Sequence, residues 1–322
     1  HSFSRRQRQM CIRDSSIDNR PQVAENTRAI PQYIPTGLTF GASSPNNDFV
    51  ILGNNTETIW NFKFYNGSEG RVVAGWSKWE MPASVMFAEF DKDTLFFVCR
   101  NGSKTILERL ELLDAANSDI DARFSTFSPR LDSTIPGQDV SRITGGDFDK
   151  YYFADGAYVE GKIPVILLND SSFFRGEIKE DASGYYMELE KDRVTGNNYS
   201  LGLQYEAQIS LPSFYLQTNK RADRKNIPMV STLNLDFYYS GRYSVEVHKL
   251  GYDVYRQDID VSNADVYLAD TPAIREVGST AVPIYCRGDL VNVNVISKDP
   301  FPQSLTSYEF TAQYNTRGIK RL

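Results

Sequence analysis

The sequence predicts an all-β fold: a partial β-propeller, of which the chain holds the last one or two blades, followed by antiparallel β-sheet or sandwich domains. Three observations carry this. The 322 residues include 19 Tyr and 19 Phe. Apolar positions mostly alternate with polar ones or come in short runs, the period of strands and not of helices. Gly, Asn, Asp and Pro interrupt those runs at short intervals, as hairpins require.

The first residues stand apart. Arg5-Arg6-Gln7-Arg8-Gln9-Met10-Cys11-Ile12-Arg13-Asp14 reads as a translated sequencing-library adapter, and such scars are excluded from fold reasoning. Residues 1–15 are therefore set aside, with the expectation that the natural N-terminus is missing. The alternative is a basic arm that binds nucleic acid.

Residues 16–113 read as propeller blades. Phe49-Val50-Ile51-Leu52, a turn at Gly53-Asn54-Asn55 and the run Glu57–Phe64 form one hairpin, and Asn66-Gly67 marks the next turn before Ala74–Trp79. Leu95-Phe96-Phe97-Val98 then runs into Asn101-Gly102, a pair that supplies the positive φ angles of a type I′ turn. Ile106, Leu110 and Leu112 share one face beyond it, although Leu107, Leu110 and Leu113 also fit a helix over Thr105–Ala116.

Residues 114–160 lose the pattern and read as a loop or insertion, rich in Ser and Asp with Pro136-Gly137 and Gly145-Gly146. Residues 161–226 are a β-rich connecting region, with strands at Pro164–Leu168 and Gly184–Leu189. Residues 227–322 form a C-terminal antiparallel β domain. There Leu233, Leu235, Phe237 and Tyr239 alternate, Ser240-Gly241 turns the chain, and Tyr243, Val245 and Val247 return as a half-buried hairpin. Val291, Val293 and Val295 alternate with Asn292 and Asn294, and Tyr308, Phe310, Ala312 and Tyr314 make a final strand tied into a sheet.

The formal net charge is −6, and without the four arginines and one aspartate of the first 15 residues the remainder is more acidic still. Such a chain repels phosphate, so a DNA-holding role is disfavoured. DNA could pass nearby without sticking. No apolar stretch approaches the roughly 20 residues needed to cross a bilayer as a helix. With Cys11 set aside, Cys99 and Cys286 read as buried free thiols, a disulfide being the alternative.

No catalytic, cofactor-binding or metal-ligating residue is expected. With His1 in the set-aside segment, His248 is the one histidine left for a triad, and alternation places it on the solvent side of a strand. Nucleophile-elbow, phosphate-loop and dinucleotide-binding signatures are all missing from the sequence. Asp147, Asp149 and Asp155 are close but miss the calcium-loop spacing and read as solvated turn residues. The enzymatic rival is a glycoside hydrolase using two of the many carboxylates. Trp60, Trp76 and Trp79 could then form a sugar platform, although strand positions favour packing.

Three segments carry a resemblance. Gly75-Trp76-Ser77-Lys78-Trp79-Glu80-Met81-Pro82 precedes the Asn101-Gly102 hairpin, which ends Leu107-Glu108-Arg109-Leu110-Glu111-Leu112. Gly202-Leu203-Gln204-Tyr205-Glu206 opens a second region. Lys298-Asp299-Pro300-Phe301-Pro302-Gln303-Ser304-Leu305 and the strand from Tyr308 to a basic Arg317–Arg321 finish form the third. In this order they resemble tail tubular protein B, the tail nozzle protein of short-tailed, podovirus-type phages, over most of residues 57–322. Residues 114–200 match no motif of that family.

The resemblance implies a virion structural protein and not an enzyme. It implies a homohexamer beneath the tail adaptor ring, with tail fibres as further candidate partners, enclosing the path of genomic DNA during ejection without binding it specifically. A virion carbohydrate- or receptor-binding β module, with or without glycosidase activity, is the alternative.

Overall fold

The computed structural model describes residues 14–15, 21–22, 32–44, 46–67, 70–92, 94–111, 129–154, 159, 161–218, 221–222, 227–260 and 274–314. Every regular element among them is a β-strand, so the predicted all-β class holds. The chain divides into two compact units, residues 1–114 and 115–322. Residues 1–13 of the set-aside segment lie outside the described residues.

In the first unit β1 (Asp14–Ser15) and β2 (Pro21–Gln22) form a two-stranded ladder. A four-stranded meander follows: β3 (Phe40–Ser44), β4 (Phe49–Gly53), β5 (Thr58–Gly67) and β6 (Gly70–Glu80), hydrogen-bonded in chain order. A three-stranded meander, β7 (Ser84–Asp91), β8 (Thr94–Asn101) and β9 (Lys104–Glu111), completes the unit.

The two meanders face each other across an aromatic seam. Ile51 and Ile59 are fully buried, and so are Val85 and Leu95 on the other side. Trp79 stacks on Phe49 at 5.6 Å between centroids and meets Phe97 edge-on at 6.5 Å, while Phe90 approaches Phe49 at 6.3 Å. Each such side chain taken out of water contributes about 1.5–3 kcal/mol. Backbone bonds from Val85 N–H to the Thr56 carbonyl and from Met81 N–H to the Glu57 carbonyl fix the connection.

Two turns differ in detail from expectation. Asn101 pairs with Lys104, so the loop is Gly102-Ser103 and only Gly102 takes a positive φ, 57°. A glycine at the first loop position is the mark of a type II′ turn. Asn66 and Gly67 are the last ladder residues of β5, opposite Arg71 and Gly70. The helical alternative for Thr105–Ala116 fails at its start, since Lys104–Glu111 is a strand whose partner is β8.

The second unit opens with β10 (Asp132–Pro136), β11 (Ser141–Gly145), β12 (Phe148–Tyr152), β13 (Pro164–Leu168), β14 (Phe173–Arg175), β15 (Ile178–Asp181), β16 (Gly184–Glu190) and β17 (Tyr199–Leu203). They form two four-stranded sheets, β10-β17-β13-β14 and β11-β12-β16-β15. Tyr151 and Met187 of one pack with Ile166, Tyr199 and Leu201 of the other in a common core.

Residues 132–152 were expected within a loop and are three strands. Their inward row breaks the usual rule: Arg142 and Asp149 sit on the same face as buried Tyr151 and Met187, while Ile143 and Phe148 point out, 52% and 50% exposed. A strand with charges inside and apolar residues outside shows no readable alternation.

After β17 come β18 (Ala207–Leu211), the short β19 (Gln217–Thr218) and β20 (Arg221–Ala222), then β21 (Met229–Ser240), β22 (Tyr243–Lys249), β23 (Tyr255–Ile259), β24 (Arg275–Arg287), β25 (Val291–Ser297) and β26 (Leu305–Gln313). Seven of these make a sandwich of sheets β18-β25-β22-β23 and β24-β21-β26. The central pairs, second strand with fifth and third with sixth, are those of an immunoglobulin-type sandwich. Strand β18, from the expected connecting region, belongs to this sandwich through its pairing with β25. The final strand is tied in as predicted, with β26 paired to β21.

The expected hairpin of β21 and β22 is an arch. β21 pairs with β24 and β26, whereas β22 pairs with β23 and β25 in the opposite sheet. Leu233, Leu235 and Phe237 therefore meet Tyr243, Val245 and Val247 across the core. Alternation reports which face is buried, not which strand lies alongside, so both topologies share one pattern.

Candidate functional site

The residues that would carry chemistry are dispersed. His248 is half-exposed on β22, opposite Asn292, with its Nε2 3.3 Å from Glu246 Oε2 and from Asn294 Nδ2. Arg256 reaches the other Glu246 oxygen at 3.8 Å, which makes this a surface charge network on the outer face of the sheet.

The three tryptophans do not form a platform. Trp79 pairs with Ile59 and faces the seam, whereas Trp60 and Trp76 lie on the opposite side of the β5–β6 ladder. Trp60 is buried and Trp76 packs on Phe62 with centroids 4.8 Å apart. A shallow groove beside Trp76 is lined by Phe64, Tyr65 and Lys63.

Cys99 and Cys286 are free thiols, the first buried and the second half-buried. Among the described residues no three His, Cys, Asp or Glu are gathered around a point that could hold a metal ion.

Of the three aspartates read as solvated, Asp147 is exposed on the β11–β12 turn and Asp155 lies outside the described residues. Asp149 corrects the expectation. Its side chain is fully buried, and its Oδ2 accepts a 2.6 Å hydrogen bond from the Arg142 guanidinium. Arg142 also lies over the Tyr151 ring, 5.4 Å from its centroid, and Tyr151 meets Tyr199 edge-on at 5.6 Å. Spacing alone could not reveal this, because the pair forms across a hairpin whose register the sequence leaves open.

Burial pushes the Tyr151 hydroxyl up to about 12, the neighbouring Arg142 charge opposing and Asp149 adding to the rise. A group raised in the folded state stabilises below its unfolded value, about 10, and that contribution is lost as pH rises through 12. Tyr151→Phe should therefore flatten the loss of stability between pH 10 and 12, read from denaturant midpoints across that range.

On the outer face of the same sheet, Lys150 Nζ and the Tyr152 hydroxyl donate to Asp181 Oδ2 at 3.0 and 2.8 Å. The Lys150 bond is the main cause of the lowered Asp181 pKa, helped by the Ser183 backbone and Tyr152. This half-buried network, with Tyr152 itself buried, holds β12 to the β15–β16 hairpin.

The Pro300-Phe301-Pro302 turn is a mechanical junction. Phe301 is buried against Leu167, with Phe173 5.6 Å away edge-on. Arg130 N–H donates to the Pro300 carbonyl at 2.9 Å, and Gly241 N–H donates to that of Pro302 at 2.9 Å. A side chain at Gly241 would collide with Phe301 Cβ. Arg175 pairs with Asp299 beside it. The turn thus pins the β21–β22 arch to the preceding sheets.

No curated protein matches the chain. Among solved structures, it is similar to exo-beta-1,3-galactanase from Phanerochaete chrysosporium with galactose, at 10% identity and TM-score 0.18 over 79% of each chain. A variant of that enzyme with beta-1,3-galactotriose matches at 10% identity and TM-score 0.18, over 85% of this chain and 80% of the other. At that TM-score neither similarity bears on fold or activity.

The family comparison is of another order, because the model of the bacteriophage nozzle protein matches residues 1–321. An all-β structural chain whose Pro-Phe-Pro turn and terminal strand are built into its packing is therefore a component of the phage tail, and it belongs to the bacteriophage nozzle protein family.

Proposed function

We propose that the chain is the subunit of a homohexameric tail nozzle, a tube seated below the tail adaptor ring that encloses genomic DNA as it leaves the particle. Membership of the nozzle family over residues 1–321 carries this reading. The meanders β3–β6 and β7–β9 serve as propeller blades, and the sheet pairs of residues 115–322 form the wall of the tube. The subunit acts by assembly and not by catalysis, touching the adaptor above, tail fibres at its side and DNA without sequence preference.

Ring closure needs two different surfaces on each copy, which a heterologous contact provides. Cryo-electron microscopy of purified virions carrying this chain with a small tag tests the reading. Six tagged copies around a central channel are expected. A tag found only on fibres, or a copy number that is not a multiple of six, would replace the nozzle with the receptor-binding module.

A further inference from the structure

We infer that the tip of the β22–β23 hairpin of one copy docks into the groove beside Trp76 on the next copy; this rests on the nozzle reading and names a contact that joins its subunits. The tip carries four exposed apolar or aromatic side chains within six residues. Leu250 and Tyr252 are 75% and 76% exposed, Val254 and Tyr255 50% and 40%. Large apolar groups gathered on one small surface mark an interaction site. The tip is also held in shape: Leu250 N–H donates to the Leu290 carbonyl at 3.0 Å, and Tyr252 N–H donates to that of Lys249 at 3.1 Å. Gly251 takes the positive φ, 84°, that the turn requires. A preformed loop loses little conformational entropy on docking.

The groove offers the counterpart. Lys63 lies opposite Gly75 in the β5–β6 register, with Tyr65 and Ser77 on the same face, and Phe64 and Trp76 complete the lining. A Cβ at Gly75 would meet nothing within 4 Å, so this floor is open, and Tyr65 beside it is 61% exposed. Lys63 is the one charge among the lining residues. Asp253 is exposed in the tip between Tyr252 and Val254. Neither has an ion-pair partner among the described residues, and matched charges of this kind fix the register of an interface. A sugar suits the groove less well. Ser77 already donates its hydroxyl to Asn61, which leaves few polar groups to satisfy a pyranose ring, and unsatisfied hydroxyls are costly to cover. Tip and groove belong to the same chain, and a closed ring needs two different surfaces on each copy. A second copy is the occupant that these residues select.

Full chains carrying both Gly75→Cys and Tyr252→Cys are assembled into phage tails and oxidised. A ladder of covalently joined copies on a non-reducing gel is expected, while either cysteine alone gives no more than the wild-type background from Cys99 and Cys286. Lys63→Glu or Asp253→Lys added to the cysteine pair should cut the linked fraction several-fold, and both together should restore it. Normal tails without a ladder, a link confined within single copies, a link from Gly75→Cys to another virion protein, or no rescue by the double reversal would overturn the contact.

If the cysteine particles fail to assemble, purified full chains bearing one cysteine each are mixed and oxidised. Mixed dimers above the wild-type background support the contact, and their absence overturns it. A ladder that ends at a number other than six keeps the contact and removes the hexameric nozzle, whereas six-fold tails without links do the reverse.

Discussion

Asp149→Ala lowers the stability of residues 115–322 by about 3–5 kcal/mol, because it strands the Arg142 guanidinium beside a core with its partner gone. Arg142 is itself mostly covered, with 21% of its side chain exposed, so water can replace the lost carboxylate only in part. For a unit of this size the loss corresponds to roughly 10 °C in Tm. All three tryptophans lie in the first unit, so tyrosine fluorescence or amide exchange in β11 and β12 is the readout. The double change Arg142→Met with Asp149→Leu should restore most of the loss, since a well-packed apolar pair often equals a buried ion pair. A single-variant loss under 1 kcal/mol would mean that the pair is solvated and not buried.

Phe301→Ala costs about 3–5 kcal/mol by the usual scale for a large buried aromatic, and its effect should be spatially specific. The ring fills the space between Leu167, Phe173 and Gly241. Its loss should loosen the arch and raise protease sensitivity near residues 240–242, while the first unit keeps its own transition. Gly241→Ala overpacks the same spot and should cost about 1–3 kcal/mol alone. Phe301→Ala does not relieve that clash, because the colliding atom, Phe301 Cβ, is kept in alanine. Phe301→Gly removes it, so a double-mutant cycle of Gly241→Ala with Phe301→Gly should show favourable coupling of about 0.5–3 kcal/mol, and strict additivity there would show that the two positions do not share that space.

These two sites mark where sequence reasoning worked and where it stopped. Strand β25 is legible because apolar and polar residues alternate cleanly, with Val291, Val293 and Val295 all buried, and β4 and β8 are legible as short apolar runs that end at turn residues. β11 and β12 are not, because Arg142 and Asp149 occupy inward positions and Ile143 and Phe148 outward ones. A hairpin and an arch at Ser240-Gly241 put the same residues in the core, so only the pairing of β21 with β24 and β26, and of β22 with β23 and β25, tells them apart.

The lateral order of the last sheet also bears on biosynthesis. β21 is the middle strand, yet its neighbours, Arg275–Arg287 and Leu305–Gln313, both follow it by tens of residues. During translation β21 leaves the ribosome with both edges bare, and one edge stays bare until Leu305–Gln313 has been made. Contacts so distant in sequence form slowly and leave collapsed intermediates open to aggregation. A polypeptide cut short before residue 305 would leave one edge of the twelve-residue β21 permanently unpaired, a template for aggregation. Pairing of the late strand is the step that removes this template.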